Sequence, residues 1–164
     1  MHTVLVLGGY GFFGIRICEA LAKDPSIRVV IGGRNAASAR AAAHSLDLDP
    51  HSGVEVDAQG ADLPRRLAQL GVNTLVHTAG PFQGQNYAVA RAAVEAECNY
   101  VDLADGRQFV VGIESLHQEA VARGVTVISG WSRPRRATKV HRVASGCRRK
   151  PRSTNSLWSL YRSD

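Results

Sequence analysis

The sequence predicts a doubly wound α/β fold, in which helices cover both faces of a parallel sheet of about six strands. Two observations lead to this prediction. Six short apolar segments alternate with longer segments that carry apolar residues at helical spacing. The short segments are also apolar at successive positions, which is typical of strands buried on both faces. For such a pattern we expect right-handed crossovers and the strand order 3-2-1-4-5-6.

The first predicted strand and helix flank a glycine-rich turn. Residues 3–8, with the sequence TVLVLG, form a β-branched and leucine-rich run that a glycine ends, which predicts a buried strand. Residues 14–24 place Ile15, Cys18 and Leu21 at helical spacing and predict the first helix.

The next four elements continue the alternation. Residues 26–33 and 53–58 are short apolar runs and predict the second and third strands. The alanine-rich segment 36–46 predicts a helix, because alanine has the highest helix propensity. A further helix is predicted over 62–70, with Asp62 as its N-cap.

The remaining elements complete a chain of βα units. Apolar runs predict strands over 72–80, 99–105 and 125–130. Helical spacing of apolar residues predicts helices over 86–97 and 109–124, the second ended by Gly124.

Charge and composition change abruptly at Gly130. Of the 164 residues, 1–130 hold ten Lys and Arg and thirteen Asp and Glu, whereas 131–164 hold the other ten basic residues and only one acid. We therefore predict one domain over 1–130 and a basic, largely disordered tail over 131–164. Two explanations of the tail remain open: a basic arm that attracts nucleic acid or anionic membrane, or a truncated or out-of-frame end, which the abrupt break favours.

Composition excludes several classes of protein. No apolar run approaches the ~20 residues of a membrane-spanning helix, and we expect neither a signal peptide nor membrane insertion. The three scattered cysteines indicate neither a disulfide framework nor a metal site, so a reducing cytoplasm is the expected compartment. Since the predicted domain is mildly acidic, we expect no nucleic-acid partner for it.

The glycine-rich turn carries the clearest functional motif. Gly9, Gly11 and Gly14 form G-x-G-x-x-G between the first strand and the first helix. In a Rossmann-type fold the first glycine permits the turn, the second admits a pyrophosphate and the third lets helix and strand pack closely. The helix N-terminus then faces the phosphates. The motif predicts dinucleotide binding, while Phe12 and Phe13 are expected to pack beneath the loop.

The end of the second strand indicates which dinucleotide is bound. An NAD site usually has an acid about 20 residues after the glycine motif, but this strand ends in Gly32, Gly33 and Arg34. A guanidinium there can pair with a 2′-phosphate. The sequence therefore favours NADP over NAD, and the alternative is that Arg34 is an ordinary solvated loop residue.

Further candidates lie at the carboxyl ends of later strands. Asp57 follows the third strand, where it could accept from the adenine amino group or simply form a turn. The segment HTAGPF, residues 77–82, follows the fourth strand at the predicted switch point. His77 is expected to be a core residue rather than a catalyst. Asp102 and Asp105 end the fifth strand, where they could orient a substrate or nicotinamide, or Asp105 could cap a turn.

No catalytic residue is identified from the sequence. A Ser-Tyr-x-x-x-Lys pattern is absent, which argues against a short-chain reductase with a tyrosine acid. No His, Cys and Asp cluster predicts a metal site.

Five segments together resemble the NADP-binding domain of saccharopine dehydrogenase-like oxidoreductases: VLVLGGYGFFG, VVIGGRN, HTAGPF, NYVDLADG and VTVISG. The resemblance covers about residues 1–130. It implies a reductase or dehydrogenase that moves a hydride to or from a carbonyl, imine or amine of a small-molecule substrate. Carried over by position, it implies that the following residues contact the cofactor: Gly9, Tyr10, Gly11, Phe12, Phe13, Gly14, Arg34, Ala79, Gly80 and Pro81.

The resemblance ends at Gly130, where the family would continue into a substrate domain. We expect residues 131–164 not to form such a domain, so the chain would supply only the NADP-binding part of the oxidoreductase. The alternative function is an NADP-sensing protein without catalysis, and a nucleic-acid binder acting through the basic tail is the less favoured third. A homo-oligomer is compatible with the sequence.

Overall fold

The computed structural model describes residues 1–130, so the predicted tail lies outside the described residues and the boundary at Gly130 stays a prediction. The strands are His2–Leu7 (β1), Ile27–Gly33 (β2), Gly53–Glu55 (β3), Thr74–His77 (β4), Asn99–Asp102 (β5) and Val127–Ile128 (β6). The α-helices are Phe12–Ala22 (α1), Ala36–Ser45 (α2), Leu63–Gln69 (α3), Ala88–Glu95 (α4), Arg107–Gly112 (α5) and His117–Arg123 (α6).

All six strands are parallel, and their order in the sheet is β3-β2-β1-β4-β5-β6. This is the order predicted from the sequence. The chain leaves β1 toward one side of the sheet, and after β3 it returns to the other side to form β4. The order therefore reverses between β1 and β4, where ligands bind at the carboxyl edge of such sheets.

Two apolar cores lie on opposite faces of the sheet, as the doubly wound fold requires. On one face, Val4, Val6 and Ile31 pack in a cluster with Cys18 of α1 and Ala39 of α2. On the other face, strand residues Leu5, Leu7, Leu75 and Tyr100 form a second cluster. The same cluster includes Leu67 of α3, Val94 of α4 and Leu116 of the 3₁₀ segment before α6. Alternation of side chains along each strand sends neighbouring residues to different cores.

The predicted helix over 109–124 is interrupted in the structure. Its residues form the end of α5, a 3₁₀ segment over Ile113–Leu116 and then α6. The interruption follows Gly112, a poor helix former, and a Cβ at this position would collide with the hydroxyl of Tyr87. The predicted end of the segment is correct, because Gly124 caps α6 in the left-handed region with φ 68°.

Asp62 is the N-cap residue of α3, as predicted, although its side chain makes no capping hydrogen bond. A short 3₁₀ segment over Pro50–Ser52 precedes β3, with Asp49 accepting from the backbone N–H of His51 at 2.7 Å.

Within residues 1–130, none of the helices combines the length and apolar character needed to cross a bilayer.

Candidate functional site

The glycine motif forms a tight turn between β1 and α1. Gly8 has a φ of 83°, a conformation that favours glycine. The backbone N–H of Gly11 donates to the carbonyl of Gly8 at 2.9 Å, and Gly11 is the N-cap of α1. The chain thus turns back on itself within a few residues and starts the helix at the carboxyl edge of the sheet.

The surroundings of Gly14 and Gly11 differ in how closely they restrict a side chain. A Cβ on Gly14 would collide with the carbonyl of Gly8 and lie 2.6 Å from Cα of Gly9, so glycine here lets α1 pack on the turn. A Cβ on Gly11 would meet a single protein atom within 4 Å, the Gly8 carbonyl oxygen at 3.1 Å. Gly11 has φ −77° and ψ 171°, which any residue adopts. The backbone therefore suits any residue, and the surrounding protein explains a glycine at position 11 only in part, through the tight contact that a Cβ would make with the Gly8 carbonyl oxygen.

The segment after β4 adjoins the glycine turn. A Cβ on Gly8 would lie 2.9 Å from Oγ1 of Thr78 and 3.0 Å from the backbone nitrogen of Ala79. The Thr78 hydroxyl donates to the carbonyl of Leu7 at 2.9 Å, which ties the end of β4 to β1. The structure therefore places the predicted residues Ala79, Gly80 and Pro81 in the segment beside the glycine turn.

The side-chain amide of Gln85 hydrogen-bonds to two backbone carbonyls of that segment. It donates to the carbonyl of Ala79 at 3.1 Å and to the carbonyl of Pro81 at 2.6 Å. The sequence gives no signal for this residue, because a single glutamine in a loop carries no recognisable pattern.

The expectation that Phe12 and Phe13 pack beneath the loop is wrong. The two side chains are 69% and 62% exposed and pack edge-to-face on one another, with ring centroids 5.2 Å apart. The guanidinium of Arg16 lies 4.7 Å from the ring centroid of Phe12. The cause is the rotation of α1, which buries the face carrying Gly14, Cys18 and Leu21 and turns Phe12 to the opposite side.

Arg34 follows β2 at the same edge of the sheet. Its side chain is exposed, and it forms no ion pair with any residue of 1–130. Asn35 caps α2 by accepting from the backbone N–H of Ser38 at 2.9 Å. The guanidinium is thus available to an anion, beside the N-terminus of a ten-residue helix.

Asp57 lies two residues beyond β3 and is exposed. Its Oδ1 accepts from the backbone N–H of Gln59 at 3.0 Å, which is the geometry of an Asx turn. The turn alternative of the sequence analysis is therefore present, and it leaves Oδ2 available for another partner.

His77 is a core residue, as predicted. It is 1% exposed, and its ring packs against Phe82 with centroids 5.0 Å apart. Its Nδ1 lies 3.0 Å from the hydroxyl oxygen of Tyr100. Burial lowers the pKa of His77 from 6.5 to about 4, while a backbone hydrogen bond with Ala79 opposes the shift. His77 is neutral at physiological pH and packs with its ring enclosed.

Asp102 joins the ends of β5 and β6. Its Oδ1 accepts from the backbone N–H of Ala104 at 3.0 Å, the Ser129 hydroxyl at 2.9 Å and the backbone N–H of Gly130 at 3.0 Å. The side chain is fully buried, and Oδ2 has no hydrogen-bond partner among residues 1–130. Burial raises the pKa of Asp102, and the hydrogen bonds oppose this. These contacts give Asp102 a structural role rather than a free orientation toward a substrate.

Asp105 lies in the loop after β5, where its carboxylate accepts from the side-chain amide of Gln83 at 3.1 Å. This contact joins the loops that follow β4 and β5. No group of three His, Cys, Asp or Glu side chains that could hold a metal ion occurs within the part of the chain that the structure describes.

This chain has relatives among known protein families and solved structures. A family model described as the saccharopine dehydrogenase NADP binding domain matches residues 4–128. No curated protein matches the chain.

Three solved structures illustrate the likeness of fold. Saccharopine dehydrogenase (L-Glu forming) from Saccharomyces cerevisiae superposes with a TM-score of 0.65 at 22% identity, over 80% of this chain and 27% of that one. A Gfo/Idh/MocA family oxidoreductase from Vibrio cholerae gives 0.59 at 17% identity, over 80% and 39%. GenD2 from gentamicin A biosynthesis, solved in complex with NAD, gives 0.57 at 22% identity, over 79% and 34%.

At these identities the solved structures support the Rossmann-type fold. The chain spans about a quarter to two fifths of their length. The family model, in contrast, covers most of the chain, including the glycine turn, Arg34 and the segment after β4. This chain therefore belongs to the saccharopine dehydrogenase NADP-binding domain family.

Proposed function

We propose that this chain binds NADP, in preference to NAD, as the cofactor-binding part of an oxidoreductase. The observation that carries the proposal is the space outside Gly11. The backbone there suits any residue, and apart from a tight contact of 3.1 Å with the Gly8 carbonyl oxygen, no protein atom lies within 4 Å of the position of a Cβ. A glycine is then explained by a ligand that approaches the backbone, as a pyrophosphate does in this fold.

The remaining predicted contacts surround that space. The first turn of α1 directs unpaired backbone N–H groups to the pyrophosphate. On the far side of Gly8, the backbone of Ala79, Gly80 and Pro81 lies where the nicotinamide half would extend from the switch point. Phe12 and Phe13 are exposed at the start of α1, so their rings are available to cover the bound cofactor. Asp57 is available beside the adenine end.

The preference for NADP depends on the end of β2. Arg34 is exposed and without an ion pair among the described residues, and no acid occupies the last position of β2. A guanidinium pairs with a 2′-phosphate, whereas a carboxylate would repel it and grip the ribose hydroxyls of NAD.

In the proposed reaction, NADP supplies the hydride chemistry at its nicotinamide ring. The chain's own residues bind the pyrophosphate, hold the adenosine phosphate and fix the nicotinamide over the carboxyl edge of the sheet. The proposed substrate is a small molecule with a carbonyl, an imine or a secondary amine. It must be held within about 3–3.5 Å of the reacting carbon with water excluded.

Titration calorimetry of the 164-residue chain with NADPH, NADH and AMP tests the binding proposal. We expect NADPH to bind at least tenfold more tightly than NADH, and AMP to bind weakly because it lacks the pyrophosphate. If neither NADPH nor NADH gives a heat of binding, the proposal of dinucleotide binding is overturned. Tighter binding of NADH than of NADPH would overturn the NADP preference.

A further inference from the structure

The aromatic ring of Tyr10 lies across the end of β2. Tyr10 is the residue between Gly9 and Gly11 of the glycine turn, and its side chain is 36% exposed. A Cβ built on Gly33 would collide with this ring, at 2.7 Å from the hydroxyl oxygen and 2.8 Å from Cζ. Gly33 is not in the left-handed region. The ring of Tyr10, and not the backbone, occupies the place of a side chain at position 33, and it would have to move to admit one.

Position 33 is the place of the acid in an NAD site. It is the last residue of β2 and follows the last glycine of the motif by 19 residues. An Asp or Glu there accepts hydrogen bonds from the ribose hydroxyls. In this chain the phenol ring takes that volume, so the ribose meets an aromatic ring in place of a carboxylate.

The Tyr10 hydroxyl is also connected to the loop that carries Arg34. Its oxygen accepts from the backbone N–H of Asn35 at 3.3 Å. A phenol can accept and also donate one proton, and among residues 1–130 no acceptor contacts the Tyr10 hydroxyl. The Tyr10 hydroxyl is therefore bonded to the residue that follows the exposed Arg34, and its own proton is available to another acceptor.

We propose that Tyr10 is a second determinant of cofactor choice, acting together with Arg34. Its ring excludes a carboxylate from position 33, and its hydroxyl donates a hydrogen bond to the 2′-phosphate that Arg34 pairs. This inference rests on the proposed NADP function. It adds that an acid in place of Gly33 competes with the ring for the same space, so that an NAD site forms better when the ring is removed as well.

The first test uses the full chain with Tyr10→Phe, titrated with NADPH and NADH. The ring and its packing on Gly33 remain, so the fold is preserved. We expect the affinity for NADPH to fall about tenfold, the scale of a hydrogen bond to a charged group, and the affinity for NADH to change less than twofold. Equal effects on both cofactors, or no effect on either, would overturn the role of the hydroxyl.

The second test compares Gly33→Asp with Tyr10→Ala/Gly33→Asp. We expect the single variant to lose NADPH affinity without gaining NADH affinity, and the double variant to bind NADH at least tenfold more tightly than the single variant does. Circular dichroism melting shows whether each variant folds. A single variant that fails to fold while the double variant folds would also support the exclusion by the ring, and failure of both to fold would overturn it, because removing the ring would then not make room at position 33. Equal NADH affinity of the two variants would overturn the exclusion by the ring.

The unmodified chain separates failure of this inference from failure of the proposed function. If the chain itself shows no preference for NADPH, the NADP proposal and this inference both fail. If it prefers NADPH and Tyr10→Phe leaves the ratio of the two affinities unchanged, the NADP proposal stands and the part assigned to Tyr10 is wrong.

Discussion

Nδ1 of His77 and the hydroxyl oxygen of Tyr100 lie 3.0 Å apart, in a part of the core where the two residues are 1% and 0% exposed. The contact follows from strand geometry, because His77 ends β4 and Tyr100 lies on the same face of the neighbouring strand β5. The contact satisfies two buried polar groups that would otherwise destabilise the fold. It also makes the stability of the domain depend on the protonation of one imidazole.

We predict that acid destabilises the domain through His77. The pKa of His77 is lowered from 6.5 to about 4 by burial, so the folded state favours the neutral ring. The resulting stabilisation is fully present above pH 6.5 and is lost as the pH falls toward 4. The loss from His77 amounts to about 3 kcal/mol in the free energy of unfolding, and urea denaturation between pH 4 and 7 measures it as the difference between the unmodified chain and a variant without the imidazole.

His77→Gln isolates this contribution because glutamine does not titrate and can still bond the Tyr100 hydroxyl. The free energy of unfolding of the variant should fall less over the same pH range than that of the unmodified chain. His51→Gln, which removes an exposed imidazole, serves as the matched control and should behave like the unmodified chain. Parallel pH profiles for His77→Gln and the unmodified chain would contradict the prediction.

Asp102 gives a pH dependence of the opposite sign. Burial raises the pKa of its carboxyl, so its favourable contribution to folding is present below the unfolded pKa of about 3.9 and is lost as the pH rises through the folded value. Asp102→Asn keeps an oxygen for the three donors on Oδ1 and cannot ionise. The stability of this variant relative to the unmodified chain should increase from pH 4 to 8, as urea denaturation would show.

Asp102→Ala should be destabilised at every pH, by about 3 kcal/mol, because it removes the carboxylate that accepts from the N–H groups of Ala104 and Gly130 and from the hydroxyl of Ser129. If the alanine variant is as stable as the asparagine variant, the three hydrogen bonds do not join β5 and β6 as described.

The sheet could be predicted from the sequence because each strand is a short apolar run and each break carries a glycine or an N-capping residue. The position of His77 followed from the same pattern. The burial expected for Phe12 and Phe13 is wrong, because two aromatic residues beside glycines suggest burial and only the rotation of α1 shows that they are exposed. The contact of Tyr10 with Gly33 joins residues 23 positions apart, and no local pattern predicts such a contact.

We predict that Gly11→Val abolishes dinucleotide binding and leaves the fold intact. The valine side chain would enter the space proposed for the pyrophosphate, while its backbone at φ −77° is unstrained and its Cβ requires only a small shift of the Gly8 carbonyl oxygen, which lies 3.1 Å from that position. Loss of the glycine N-cap costs about 1 kcal/mol or less. Calorimetry should show no NADPH binding, and circular dichroism melting should show a folded chain.

Gly14→Val is the matched comparison within the same motif. Its side chain would collide with the backbone of Gly8 and Gly9, so we expect the fold itself to be destabilised by about 3 kcal/mol. Unchanged affinity for NADPH in Gly11→Val would remove the basis for placing the pyrophosphate at this turn.

Arg34 should distinguish the two nicotinamide cofactors. Arg34→Ala removes the guanidinium proposed to pair with the 2′-phosphate, and NADPH binding should weaken by roughly 1.5–3 kcal/mol, while NADH binding changes little. Arg34→Lys keeps the charge without the planar fork and should give an intermediate loss. Arg65→Ala removes another exposed arginine, on α3, and controls for the general loss of positive charge, which salt would screen. Calorimetric dissociation constants for both cofactors at two salt concentrations measure these effects. If Arg34→Ala weakens NADPH and NADH equally, the arginine does not recognise the 2′-phosphate, and the preference for NADP has to come from another part of the β2 end.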